Sequence, residues 1–157
     1  MPPLVRRYLK TAILFLAVGL TIGLTLLVRR ELLGIWPAPY LVTAHVHAVL
    51  VGFVVMMIFG VALWMFPRAA RDDTRYDPRA AEVAYWLVTS GTALRMLAEL
   101  LRSEWSHPAL RWAVVGAALA QVLGAGVFFR AMWSRIRQVG QQPAARVTAP
   151  PPKMEPR

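Results

Sequence analysis

Apolar residues come in four long runs, near 11–28, 40–66, 80–101 and 108–133, and the charged residues gather in the gaps between them. A hydrocarbon core of roughly 30 Å takes about 20 mostly apolar residues as helix, and each run meets that length. An open sheet cannot satisfy its backbone in lipid, so the runs are helices. The expected fold is all-α, an integral membrane four-helix bundle within residues 1–137. The first run sits where a signal peptide would, behind RRYLK, but no A-x-A site follows it and three more runs do. It is therefore expected to remain as an uncleaved helix.

Composition agrees with this pattern: 57% of the 157 residues are hydrophobic, 17% are charged, and the mean hydropathy is +0.48. Charge changes the picture more, because a formal +10 would ordinarily raise the question of nucleic acid. Position answers it. Thirteen Lys and Arg fall in the N-terminal tail, the loop after the second run and the C-terminal tail, whereas Arg29, Arg30, Arg102 and Arg111 mark the opposite side. This asymmetry places both termini in the cytoplasm of a multi-pass protein in a bacterial-type inner membrane. Lipid is the expected partner, and nucleic acid is not. Trp36, Tyr40 and Trp105 fall at the outer boundary, with Trp64, Tyr85, Trp86 and Trp133 near the inner one, as interfacial aromatics do. The segment 138–157, with Pro150 to Pro152, reads as a disordered cytoplasmic tail. Cysteine is absent, which excludes disulfides, thiolate metal sites, iron–sulfur clusters and covalent c-type heme attachment.

Ionisable side chains inside a membrane are costly, about 2.5–3.5 kcal/mol at the centre on insertion scales, so each needs a reason. They are His45 and His47 early in the second run and Arg95 and Glu99 late in the third, with the polar Gln121 in the fourth. With the orientation above, His45, His47, Arg95 and Glu99 gather at the outer end, as does His107 just before the fourth run. Two residues apart on a helix, His45 and His47 point about 200° away from each other, so they cannot serve one site together. His45 shares its face with Val49, Gly52, Met56, Phe59 and Gly60; His47 lines up with Val51, Val54, Ile58, Val61 and Met65. Gly52 and Gly60 would let a flat group come close to the backbone beside His45. Alternatively, both histidines are interfacial and bond to loop groups. Arg95 and Glu99, at i and i+4, form a local ion pair or meet an anionic group on a ligand. Gly19 and Gly23, and Gly116, Ala120 and Gly124, are small faces suited to close helix packing. There is no nucleophile–base pair, phosphate loop or carboxylate pair, and Met56 and Met57 lie two or more turns below His47, too far to share a copper site with it.

The stretch HVHAVLVGFVVMMIFGVALWMFPR, His45 to Arg68, resembles the second transmembrane helix of heme–copper oxidase subunit I and of the related nitric oxide reductases. It is closer still to short, four-helix relatives of subunit I. The positions that carry the resemblance are His45, His47, Gly52, Phe53, Met57, Ile58, Gly60, Pro67 and Arg68. The resemblance implies a b-type heme with His45 as its iron ligand and His47 as second choice. The anionic ligand group open to Arg95, with Glu99 orienting it, would then be a heme propionate. A second axial ligand would come from His107, a methionine or a second copy of the chain, or the position would stay open to a diatomic gas. A full subunit I has more spans and more histidines, so one such chain cannot assemble an oxygen-reducing heme–copper centre, and copper is not expected. The implied roles are respiratory electron transfer or binding of a gas such as nitric oxide, within a homo-oligomer or a respiratory complex. The alternative is a cofactor-free accessory or assembly subunit of such a complex.

Overall fold

The computed structural model describes residues 1–66, 77–133 and 135–136. Pro67 and Arg68 of the motif, the basic loop with Arg71 and Arg75, and the tail from 138 lie outside the described residues. Each of the four long helices opens on proline: α1 is Pro3–Glu31, α2 Pro39–Met65, α3 Pro78–Glu104 and α4 Pro108–Trp133. Proline's fixed φ suits a first helical turn, where the N–H it lacks would have had no partner.

Helix α1 starts about two turns before its apolar run. The reason is a buried stripe, Val5, Tyr8, Ala12, Phe15 and Gly19, whose spacing of three and four continues through the basic segment. Its other faces carry exposed Leu14, Leu20, Leu24 and Leu27, as expected of a helix turned toward lipid. Helix α2 is α-helical over Pro39–His47, π-helical over Ala48–Val55 and α-helical again over Met56–Met65. The wider winding has a consequence for facing. His47 looks into the bundle, whereas Ile58 and Met65, on the same face of an unbroken α-helix, are 57% and 70% exposed.

Among the described residues three helices, α1, α2 and α4, are long and apolar enough to cross a membrane. The four spans read from the sequence are thus supported for three. Helix α3 has the length, 27 residues, but Glu82, Thr89, Ser90, Thr92, Arg95 and Glu99 dilute its apolar character. Its N-terminus is capped by Asp77, whose carboxylate accepts from the Arg79 amide at 2.8 Å.

Contacts at the helix ends fix the topology. Tyr8, early in α1, donates to the carbonyl of Ala81, early in α3, at 2.9 Å. His47, early in α2, meets Glu99, late in α3, at 3.1 Å. Successive helices are therefore antiparallel, and the bundle has two chemically distinct ends. At the first, Tyr8 packs edge-on against Phe59, Tyr85 and Phe128, and Phe59 stacks on Phe128 with ring centroids 3.7 Å apart. Arg135, just beyond α4, is buried here and donates to the carbonyls of Leu63 and Phe66 at 3.1 and 2.7 Å, satisfying acceptors that the end of α2 leaves open. The second end holds the histidines. Between them α3 and α4 lie close together, because Gly91 and Gly124 let the backbones approach: a Cβ on Gly91 would come within 2.9 Å of the Ala117 carbonyl.

Candidate functional site

Five residues from three helices form one hydrogen-bonded chain at the second end. The His47 Nδ1 lies 2.8 Å from the Thr43 carbonyl and 3.1 Å from Glu99 Oε2. Both neighbours accept, so the Nδ1–H is shared between them. Glu99, with its side chain 3% exposed, takes the Nε–H of Arg95 on Oε1 at 3.1 Å. Arg95 also donates from Nη1 to Gln121 Oε1 at 3.1 Å, and Gln121 donates from Nε2 to Thr92 Oγ1 at 3.0 Å. Thr92 and Gln121 are buried between α3 and α4. The i,i+4 pair of Arg95 and Glu99 read from the sequence is therefore present, and it extends to α2 on one side and α4 on the other. Each charged oxygen and the two donating nitrogens of Arg95 meet complementary groups, the condition under which a buried ion pair is tolerated.

His45 faces away from this chain. It turns to α1, where its Nδ1 lies 2.8 Å from the Gly19 carbonyl. The carbonyl can only accept, so Nδ1 carries the proton, and the neutral ring has its lone pair on Nε2. Gly52 and Gly60 lie on the same side of α2 and also face α1: a Cβ on Gly52 would fall 2.5 Å from Phe15, and one on Gly60 3.0 Å from Tyr8 and Leu9. His107 stands apart, exposed before α4, with its Nδ1 accepting the Ala109 amide at 3.2 Å. The structure thus brings His47, Arg95 and Glu99 together and separates them from His45 and His107.

The fit to a heme can be judged from these donors. An imidazole whose Nδ1–H is bonded to a backbone carbonyl and whose Nε2 keeps its lone pair is the usual state of an iron-ligating histidine. His45 meets that description, and so does His47 through Thr43 and Glu99; the resemblance read from the sequence is what favours His45. The backbone beside Gly52 and Gly60, by contrast, is covered by α1 side chains. Among the described residues, no three His, Asp or Glu side chains are grouped so as to hold a metal ion.

Thr43, Thr92 and Gln121 have no role that the sequence alone assigns, and Gly19 and Gly23 have only a packing one. Gln121, the polar residue within the fourth apolar run, was the available signal for an α3–α4 bond. A backbone carbonyl such as that of Thr43 leaves no signal in the sequence.

No curated protein and no solved structure matches the chain. A family model described as "Cytochrome C and Quinol oxidase polypeptide I" matches residues 3–148. Nearly the whole length is covered, well beyond the stretch around His45 that first carried the resemblance, and the chain belongs to the family of heme–copper oxidase subunit I.

Proposed function

We propose that this chain is a heme-binding membrane protein in which His45 ligates the iron of a b-type heme through Nε2. The observation that carries the reading is the 2.8 Å contact between His45 Nδ1 and the Gly19 carbonyl, in a member of a heme-binding family. A heme so held supplies a one-electron redox centre, and an iron open to a small gas such as nitric oxide where its second axial position is free. The residues of the chain do the rest. Gly19 orients the imidazole; His47, Glu99 and Arg95 tie α2 to α3; Gln121 ties α3 to α4. The buried pairing of Arg95 carries α3 through the membrane as a fourth span, with both termini cytoplasmic. His47 points away from His45 toward α3 and His107 stands apart before α4, so the second axial ligand comes from a methionine, from another copy of the chain or from none.

The experiment is an absorbance spectrum of the purified protein, oxidised and reduced, after expression with ample heme. A Soret band is expected, lost in His45→Ala and kept in His47→Ala, and shifted by carbon monoxide or nitric oxide where the iron is open. A colourless wild-type protein overturns the reading. It would favour a second one, a cofactor-free accessory subunit, which the packing of Phe15, Tyr8 and Leu9 over Gly52 and Gly60 supports.

A further inference from the structure

The geometry points to Gly19 and Gly23 of α1 as positioning residues for His45: Gly19 sets which ring nitrogen carries the proton, and Gly23 gives the ring its seat. The proposal deepens the heme reading and rests on it for its functional meaning. Its structural content stands separately.

Two observations carry it. The Gly19 carbonyl takes the Nδ1–H at 2.8 Å, which commits the lone pair to Nε2. At Gly23, the three nearest atoms that a Cβ would meet all belong to His45, with Cε1 at 2.8 Å, Nδ1 at 3.1 Å and Nε2 at 3.5 Å. Real Cβ atoms essentially never come within 3.0 Å of such a neighbour, and here the neighbour is the movable end of one side chain. A methyl group at Gly23 therefore displaces the imidazole before it displaces a helix. Gly23 differs in this from an ordinary packing position such as Gly19, where a Cβ would meet Val49 Cγ2 at 2.6 Å. Gly52 makes an equally tight contact in the same pair of helices, but with Phe15 and not with the histidine, and Gly116 and Gly126 have nothing within 4 Å.

A hydrogen bond to the distal nitrogen orients a ligating histidine and raises its basicity, and its loss typically costs on the order of 10–100-fold in metal affinity. Gly23→Ala should accordingly weaken heme binding on that scale and raise the reduction potential, because a less basic ligand stabilises ferric iron less. Gly52→Ala should lower thermal stability and leave the potential in place; Gly116→Ala should alter neither.

The deciding measurement uses the full chain in detergent without added heme: nitrogen-15 chemical shifts of the labelled histidines, with His45→Ala giving the assignment. The expected result is a His45 ring protonated on Nδ1 in the wild type, and loss of that single form in Gly23→Ala but not in Gly52→Ala. A wild-type His45 protonated on Nε2 overturns the proposal without any glycine variant, as does a Gly23→Ala protein whose His45 signals are unchanged. A colourless protein with the expected ring signals would remove the heme reading and leave the seat intact. A coloured protein with the wrong ring form would do the reverse.

Discussion

At one end of the bundle Tyr8, Phe59, Tyr85 and Phe128 meet ring against ring; at the other, His47, Glu99, Arg95 and Gln121 meet through hydrogen bonds. Lipid makes the two ends respond differently to damage. Moving an aromatic ring from a lipid contact to a helix contact gains no hydrophobic energy, so the first end is held by close packing and by the edge-to-face preference of the rings. Packing losses are graded, and neighbours relax into part of the gap. The second end has no such latitude. Removing Arg95 leaves the Glu99 carboxylate, 3% exposed, as a buried charge without its cation, a loss that packing cannot relax away.

The largest loss is expected at Arg95. Arg95→Leu strips the cation from Glu99 and should cost about 3–5 kcal/mol in thermal or denaturant unfolding in detergent. Adding Glu99→Leu should recover most of that loss. A double variant no better than the single would show that the pair is not the unit. At the aromatic end, Phe59→Ala should cost toward the lower limit of the ~3–5 kcal/mol known for such truncations in aqueous cores, because only contacts and cavity count here. It should leave any Soret band unmoved, and a spectral change would mean that the two ends are coupled. Gln121→Leu removes no charge but two interhelical hydrogen bonds, to Arg95 and Thr92, and at roughly 0.6 kcal/mol each in a membrane should cost on the order of 1–2 kcal/mol. The smallest effect belongs to Arg7, whose bond to Glu82 at 2.7 Å joins two side chains about half exposed. Arg7→Ala should change unfolding by no more than about 1 kcal/mol, and less in high salt.

How far the sequence foretold each end follows from the kind of force involved. Helix positions came from runs of apolar residues, a local signal, and the bounds 108–133 match α4 as Pro108–Trp133. The start of α1 was hidden because Arg6, Arg7 and Lys10 interrupt the hydropathy, although Tyr8 between them is fully buried. The π-helical stretch Ala48–Val55 was invisible, since its valines and leucine read as any apolar turn would. At the site, spacing alone aligned His45 with Gly52 and Gly60, and all three do share a side of α2. That this side meets α1 is a tertiary fact that no local pattern contains. The Arg95–Glu99 pair was legible at i,i+4, whereas the bond from Glu99 back to His47 spans 52 positions and required the folded chain.

The arginine that closes the end of α2 also bears on where the chain can be cut. The four described helices are complete by Trp133, and a protein ended there would keep every one of them. Yet the carbonyls of Leu63 and Phe66 are served from position 135, so the last turn of the second helix is finished by residues that follow the fourth. The folding unit therefore extends at least two residues beyond the last described helix.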